Sequence, residues 1–291
     1  MKANDLFKSQ GHDFWAIVKY ASEQAGYTIR KTRKNPNSAL RVLDVRDIKS
    51  KLAERNLDVG AYSDAMYQLA SDYIAYRARV LTEEVEPALM TRDSARECFD
   101  EVKKRVNPTL AATMNRQKGL KRHEAYLSSL VAMFAEEAFG PQGFVNDAQK
   151  LAILTRDDVL QAIFSRRFDG VIPSTRDPIA IWEVKEYYGT TSFGSRVADG
   201  VYETLLDGYE INAFENAYGR RILHYLFVDD RFTWWGMGKS YLCRMIDMLH
   251  TGHVDEIFFG RQVVTQWPST LQELKKGPGP SQRPQKEAGD L

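Results

Sequence analysis

The chain has 291 residues, of which 43% are hydrophobic and 27% are charged. This composition is typical of a globular protein and excludes a wholly disordered or fibrous chain. Forty basic and 39 acidic residues leave a net charge of +1, so the total charge indicates neither a nucleic-acid nor a membrane partner. The two cysteines, Cys98 and Cys243, exclude a disulfide scaffold and a cysteine-based zinc site, and they favour a reducing compartment.

The sequence predicts neither a signal peptide nor a membrane-spanning segment. Its first residues, MKANDLFKSQGHDFW, lack the apolar core of a signal peptide. No stretch approaches the ~20 apolar residues of a membrane span. We therefore expect a cytoplasmic protein without a membrane partner.

Residues 1–115 have mostly helical patterning. Apolar residues between 62 and 90 recur at steps of three and four, which is typical of an amphipathic helix. Ser94 and Glu97 have the spacing of a capping box, which predicts a helix that begins there and ends before Pro108. We interpret residues 1–115 as a helical N-terminal region that serves DNA binding or dimerisation.

From residue 116 onward, helices and strands alternate. The predicted helices cover 121–139, 156–164, 195–217 and 238–249. The predicted strands cover 167–172, 179–185, 222–228 and 254–259, and the turn 173–178 joins the first two into a hairpin. This order predicts an α/β core over residues 116–265, with a mixed sheet flanked by helices. Residues 266–291, which end in a Pro- and Gly-rich stretch, are predicted to form a flexible C-terminal tail.

The predicted hairpin carries the candidate chemistry. Side chains alternate along a strand, so Glu183 and Lys185 share one face while Trp182 points into a core on the other. Asp169 and Glu183 are symmetric about Arg176, the middle of the turn. This symmetry predicts that the two carboxylates lie opposite each other on adjacent strands, with Cβ atoms ~5 Å apart.

Asp169 and Glu183 together predict a pocket for a hard cation. Two carboxylates this close repel each other unless a cation or a proton lies between them. Mg²⁺ prefers oxygen ligands and is usually held by one or two carboxylates with water and phosphate oxygens. Lys185, beside the pair, can orient or deprotonate an attacking water, or neutralise developing charge.

A third carboxylate, Glu124, lies near the start of the predicted helix 121–139. It precedes Leu127 and Val131 of the apolar stripe by one and two turns, so the helix can direct it toward Asp169.

Two basic stretches are candidates for phosphate contact. Residues 102–122 contain seven basic and no acidic residues, and residues 29–55 contain nine basic and three acidic residues. The Gly/Ser/Thr-rich loop after Lys185 ends in a further arginine. The candidate DNA-backbone contacts are Lys118, Lys121, Arg122 and Arg196.

The constellation resembles the PD-(D/E)xK nuclease superfamily. The residues that carry the resemblance are Glu124 on a helix, Asp169, and Glu183 with Lys185 on a strand, followed by a helix and a strand. The resemblance covers about residues 116–228 and is greatest to type II restriction endonucleases and related defence nucleases. It implies a restriction-endonuclease-like fold and a Mg²⁺-dependent phosphodiesterase that acts on double-stranded DNA, with Mn²⁺ as a substitute ion.

The resemblance also implies a role for each residue of the motif. Asp169 and Glu183 would be metal ligands, and the Val184 carbonyl a possible further ligand. Lys185 would be the base that positions water, and Glu124 the helix acid. Symmetric cleavage of both strands would require a homodimer.

Other interpretations stay open at this point. The acidic-x-Lys tripeptide occurs four times in the chain. Asp169 can instead be a turn acid, and Glu183 and Lys185 a solvent-facing ion pair on an edge strand. The functional alternatives are a nuclease subunit of a multi-protein defence or DNA repair system, acting with partner proteins, and a non-catalytic DNA-binding protein with a degenerate nuclease core.

Overall fold

The computed structural model describes residues 1–29, 38–115, 119, 122–188 and 194–277. Among these, the α-helices are α1 Asp5–Lys8, α2 His12–Ala25, α3 Val45–Ala53, α4 Asp64–Val80, α5 Glu86–Ala88, α6 Arg92–Val106, α7 Tyr126–Phe139, α8 Ser195–Tyr218, α9 Lys239–His250, α10 Gln262–Thr265 and α11 Trp267–Lys275, and Leu81–Val85 and Phe232–Met237 are π-helical. The strands are β1 Thr28–Ile29, β2 Ala39–Leu40, β3 Val145–Asn146, β4 Ile153–Arg156, β5 Val159–Ile163, β6 Gly170–Ile172, β7 Ala180–Glu186, β8 Leu223–Asp229 and β9 Glu256–Phe259. None of the helices in these ranges combines the length and apolarity needed to cross a membrane.

A five-stranded mixed sheet forms the centre of the second half of the chain, with strand order β3-β6-β7-β8-β9. β6 pairs antiparallel with β3 and β7, whereas β7, β8 and β9 run parallel. β7 is therefore the middle strand of the sheet. This mixed sheet with its flanking helices, together with the helical N-terminal region, confirms the predicted α/β fold class.

Helices cover both faces of the sheet. On one face, Trp182 and Phe258 belong to a core that includes residues of α6, α7 and α11. On the other, Leu226 and Ile257 pack with α9 and with the beginning of α8. Because side chains alternate along a strand and Glu183 pairs with Leu226, Glu183 points to the face covered by α8 and α9.

The N-terminal helices have their own core, and a buried ion pair joins them to the sheet. Arg77 of α4 donates to both carboxylate oxygens of Asp247 on α9, at 2.8 and 2.9 Å. The Tyr73 hydroxyl donates to the same carboxylate at 2.7 Å, and Arg77 also donates to Ser22 Oγ at 3.0 Å. The two halves of the chain are thus connected by a network that is closed to solvent.

The helix predicted to begin at the capping box of Ser94 and Glu97 begins at Arg92 instead. Thr91 is its N-cap and accepts the Ser94 amide at 3.3 Å, while Ser94 Oγ accepts the Thr91 amide at 3.0 Å. Ser94 is therefore the second partner of the capping box rather than the first.

The predicted helix over 156–164 is wrong, since this segment forms the hairpin β4–β5. Asp157 and Asp158 make the turn with φ of 51° and 63°. Successive left-handed residues are typical of a two-residue hairpin turn, and Asp tolerates them better than most side chains do. The apolar run after the turn is too short for its periodicity to distinguish strand from helix.

The predicted flexible tail begins too early at residue 266. Residues Trp267–Lys275 form α11, in which Trp267 and Leu271 are buried. Trp267 Nε1 donates to the Val131 carbonyl of α7 at 3.3 Å, which fixes α11 against the core. The Pro- and Gly-rich residues 278–291 lie outside the described residues.

Candidate active site

Asp169 and Glu183 lie where the hairpin β6–β7 opens. Gly170 pairs with Trp182 in the ladder, and the next positions along the two strands are Asp169 and Glu183, so the predicted register is confirmed. At this point the Val184 amide donates to Asp169 Oδ2 at 2.8 Å. The carboxylate of Asp169 is thereby held against the backbone of β7.

Close packing requires the glycine beside Asp169. A Cβ at Gly170 would lie 2.0 Å from ring atoms of Trp182. Trp182 is itself buried in the core under α7, so its ring cannot yield to a larger residue without displacing its neighbours. This contact fixes β6 on β7 directly next to the candidate site.

Glu183 and Lys185 form a buried ion pair. Glu183 is 1% exposed, and Lys185 Nζ donates to Glu183 Oε2 at 2.8 Å. Burial acts to raise the pKa of Glu183, but the positive charges of Lys185 and Arg166 outweigh it and lower that pKa. Burial acts to lower the pKa of Lys185, but Glu183 and Asp169 outweigh it and raise that pKa. The interpretation as a solvent-facing pair on an edge strand is therefore wrong.

Arg166 joins two acidic residues of α8 to the ion pair of Glu183 and Lys185. Its Nη1 lies 2.9 Å from Glu183 Oε1 and donates to Asp207 Oδ2 at 2.7 Å. Its Nη2 donates to Glu183 Oε2 at 3.0 Å and to Glu203 Oε2 at 3.4 Å. Lys185 Nζ also lies 3.7 Å from Glu203 Oε2. We name these residues the charged cluster: Asp169, Glu183, Glu203, Asp207, Arg166 and Lys185.

Sequence reasoning missed Arg166, Glu203 and Asp207. The spacing of four between Glu203 and Asp207 on α8 is the one signal, because residues four apart share a helix face. Arg166 lies in the irregular segment between β5 and β6, where no periodicity assigns a side chain to a face.

Negative charge is in excess within the charged cluster, where four carboxylates face two cations. Burial, followed by the charge of Glu183, raises the pKa of Asp207 to about 7. The same two causes raise the pKa of Asp169 to about 6, although the residue as a whole is partly exposed. Both shifts are those expected where an additional positive charge would be stabilising.

The donor set fits a hard cation. Asp207 Oδ1 is a buried oxygen without a hydrogen-bond partner, and Glu183 Oε1 faces Arg166 Nη1 at 2.9 Å without a hydrogen bond; such buried oxygens are unusual in a folded protein. Carboxylate oxygens are preferred Mg²⁺ ligands, and one or two of them suffice when water or phosphate completes the shell. Within the described ranges no three His, Cys, Asp or Glu side chains are grouped to hold a metal. Asp169 and Glu183 remain the predicted ligand pair, and water and phosphate oxygens would have to complete the shell.

The Val184 carbonyl lies on the side of β7 that faces Asp169. In a strand, the N–H and C=O of one residue point to the same neighbouring strand. The Val184 amide points to Asp169 on the β6 side, so the Val184 carbonyl points to that side as well.

Glu124 is not on the helix that the sequence predicted. α7 begins at Tyr126, and Glu124 forms an extended bridge with Met114. The Ala125 amide donates to the Thr113 carbonyl at 2.8 Å, which keeps the chain extended up to the start of α7. Within the described part of the chain, the Glu124 side chain makes no hydrogen bond or ion pair with the charged cluster. The predicted third acid is thus not joined to the other two.

Arg122 is the one predicted DNA contact whose side chain is described. It is exposed in the segment that leads to α7, and its amide donates to the Gly119 carbonyl at 3.0 Å. Lys118 and Lys121 lie outside the described residues, as does the side chain of Arg196.

Two further carboxylates lie where β7 and β8 end, on the α7 face of the sheet: Glu186 is half-buried and Asp229 is fully buried. Glu186 accepts the amide and the hydroxyl of Ser128, at 3.0 and 3.1 Å, in the first turn of α7. Asp229 accepts the Met90 amide at 2.8 Å and the hydroxyl of Tyr188. Burial raises the pKa of Glu186 to about 7 and the pKa of Asp229 to about 8.

The buried Asp229 predicts a pH-dependent stability. The folded chain keeps the Asp229 proton up to about pH 8, whereas the unfolded chain releases it near the ordinary pKa of 3.8. Between these values the folded state binds more protons, so the free energy of unfolding falls as pH rises. Asp229→Asn mimics the protonated acid and is expected to reduce the pH-dependent change in the free energy of unfolding by more than ~1 kcal/mol, since one pKa unit corresponds to ~1.4 kcal/mol.

Urea unfolding across this pH range tests the prediction, with Asp93→Asn on the exposed surface of α6 as the control. The control is expected to follow the wild-type pH profile. Parallel profiles for wild type and Asp229→Asn would show that Asp229 is ionised in the folded chain.

Family comparisons divide the chain between two families. Residues 90–274 match the family described as Domain of unknown function (DUF7687), which is more than half of the chain, and the chain belongs to this family. Residues 1–84 match a second family described as Domain of unknown function (DUF7690). The charged cluster lies wholly within the first match. No curated protein and no solved structure matches the chain.

Proposed function

For this member of the DUF7687 family we propose a Mg²⁺-dependent endonuclease that hydrolyses phosphodiester bonds of double-stranded DNA. The observation that carries the proposal is the meeting of Asp169, Glu183 and Lys185 at the opening of one hairpin, with Lys185 bonded to Glu183. The resemblance to the PD-(D/E)xK nucleases rests on the same three residues together with Glu124, and supports this class of reaction.

Asp169 and Glu183 would hold Mg²⁺, with the Val184 carbonyl as a possible further ligand. When bound, the ion supplies Lewis acidity toward a phosphate oxygen. Mn²⁺ accepts the same oxygen ligands and would substitute for it. Because Glu183 is buried and fixed by two cations, its carboxylate needs little reorientation to serve as a ligand.

Lys185 would position water and stabilise charge. Its Nζ is fixed by Glu183 at 2.8 Å and lies 3.7 Å from Glu203. An ammonium group has three N–H donors, so donors remain for an attacking water and for a phosphate oxygen. Donors that are held in place before the reaction stabilise the charge that develops on the phosphate in the transition state.

DNA would approach through basic residues near the site. Arg122, with Lys118, Lys121 and Arg196, would neutralise phosphates without reading bases. A type II restriction enzyme that cuts both strands of phage DNA symmetrically would act as a homodimer in the cytoplasm. A nuclease subunit of a multi-protein defence or repair system would use the same residues but would require its partner proteins.

A non-catalytic DNA-binding protein is the second candidate, and one observation favours it. Arg166 lies within 3.0 Å of both carboxylate oxygens of Glu183. A guanidinium that remained there permanently would fill the place of a metal ion and leave a degenerate nuclease core.

Cleavage assays distinguish these candidates. The purified chain would be incubated with plasmid DNA, several phage genomic DNAs and RNA, each with Mg²⁺ and with EDTA. Discrete DNA fragments that require Mg²⁺ are the expected result for a restriction enzyme. A smear would indicate a nonspecific nuclease, and DNA binding without cleavage, even after addition of co-purifying proteins, would favour the non-catalytic candidate.

A further inference from the structure

The side chain of Arg166 reaches from the surface to two buried carboxylates. It is 24% exposed, whereas the Glu183 and Asp207 side chains it contacts are 1% and 0% exposed. Its guanidinium lies nearest to Asp207 Oδ2 and contacts both oxygens of Glu183. Arg166 is therefore a cation that solvent can reach, bound to an acid that solvent cannot reach.

Arg166 and a divalent cation would compete for Glu183. Two cations bound to the same carboxylate lie close enough to repel each other strongly in a buried site. If Arg166 leaves and a divalent cation enters, the four carboxylates of the charged cluster gain one positive charge. Asp207 Oδ1 has no hydrogen-bond partner, and Glu183 Oε1 has only an ion-pair contact with Arg166 Nη1, at 2.9 Å, without a hydrogen bond; one guanidinium thus leaves hydrogen-bonding capacity at this site unused.

The backbone next to Arg166 is held independently of its side chain. The Ser165 amide donates to the Glu210 carboxylate of α8 at 3.2 Å, and the Phe164 amide donates to the Ala152 carbonyl at 3.0 Å. A change of side-chain rotamer can thus remove the guanidinium from Glu183 without unfolding the segment.

We infer that Arg166 is a displaceable counter-ion of Glu183, which occupies the cation site of the metal-free chain and yields it to Mg²⁺. The inference rests on the proposed function, because it takes Glu183 as a Mg²⁺ ligand. It makes Arg166 a positioning residue that holds Glu183 in place and sets how tightly the site binds the ion.

Mg²⁺ titration by calorimetry tests the inference on the full-length chain. Arg166→Gln removes the competing charge and is expected to bind Mg²⁺ about tenfold more tightly than wild type, the effect of one charged hydrogen-bond partner. Arg166→Lys keeps the charge and is expected to remain near wild type. Arg167→Gln is the matched control, because Arg167 is adjacent but exposed and contacts Gln149 outside the cluster.

Thermal unfolding supplies a second readout. In EDTA, Arg166→Gln leaves the buried Glu183 and Asp207 less compensated, so its melting temperature is expected to fall below that of wild type. Mg²⁺ is expected to raise the melting temperature of Arg166→Gln more than that of wild type, because a ligand stabilises the state that binds it more tightly. If Arg166→Gln does not fold, the double variant Arg166→Gln/Asp207→Asn removes one buried charge and keeps Glu183 for the test.

The outcomes separate this inference from the proposed function. Equal or weaker Mg²⁺ binding by Arg166→Gln, in a chain whose wild type cleaves DNA with Mg²⁺, would overturn the inference alone. Absence of Mg²⁺ binding and of cleavage in wild type and in every variant would overturn both. Binding by Arg166→Gln alone would also overturn the inference, because it would show that Arg166 does not yield the site to Mg²⁺ in the wild type.

Discussion

Lys185→Ala is expected to reduce Mg²⁺-dependent DNA cleavage by about 10²–10⁴-fold, the usual range for loss of a catalytic proton-transfer group or charge-stabilising donor. The physical reason is the position of Nζ, which is bonded to Glu183 on the middle strand and has donors free for water and phosphate. The measurement is the initial rate of plasmid cleavage at saturating Mg²⁺.

The control for Lys185→Ala is Lys276→Ala, which removes the same charge from the exposed end of α11, outside both basic stretches. Circular dichroism and thermal unfolding verify that each variant is folded. Cleavage by Lys185→Ala within about threefold of wild type, well below the catalytic range, would exclude Lys185 from the reaction.

Arg77→Ala is expected to lower the free energy of unfolding by about 3–5 kcal/mol, because it leaves the Asp247 carboxylate buried without its cation. The side chains of Arg77 and Asp247 are only 2% and 5% exposed, so water cannot replace the lost partner. Tyr73 would still donate to Asp247, but one neutral hydroxyl does not compensate a buried charge.

Urea unfolding of Arg77→Ala is compared with Arg79→Ala on the same helix. Arg79 forms an exposed ion pair with Glu83, and its removal is expected to change stability by less than about 1 kcal/mol. Arg77 lies in residues 1–84, which match one family, and Asp247 lies in residues 90–274, which match the other. We therefore also expect the two parts of Arg77→Ala to unfold in separate transitions. Similar effects of the two variants would show that the buried pair does not join them.

The hairpin at the site was predictable from the sequence because strand periodicity is strict. Alternation along β7 assigns Trp182 to one face and Glu183 to the other, and the turn centred on Arg176 sets which residue lies across the ladder. A shift of one residue would turn Glu183 into the apolar core and Trp182 out of it, so the pattern permits one register.

The hairpin β4–β5 was less predictable than the hairpin β6–β7, because its apolar run fits a helix as well as a strand. The local signal for the turn is the pair Asp157 and Asp158, which adopt the left-handed backbone conformation between the two strands. Likewise, Glu124 fits the helical spacing of α7 in the sequence, but its backbone pairs with Met114 and the helix begins only after it.

The ion pairs of Arg166 were beyond sequence reasoning, because they depend on how α8 packs over the sheet. Arg166 and Asp207 are 41 residues apart, and no local pattern relates them. Single sequences predict residues that share an element, such as Glu183 and Lys185, far better than residues that meet across elements.

Mg²⁺ binding at the hairpin is the central claim, and calorimetry of wild type against Asp169→Asn tests it most directly. Asparagine keeps an oxygen that can accept the Val184 amide, so this variant removes the charge of Asp169 while conserving its contact with β7. We predict one Mg²⁺ site per wild-type chain and loss of that site in Asp169→Asn. Equal binding by the two proteins, or no binding by wild type, would contradict the claim.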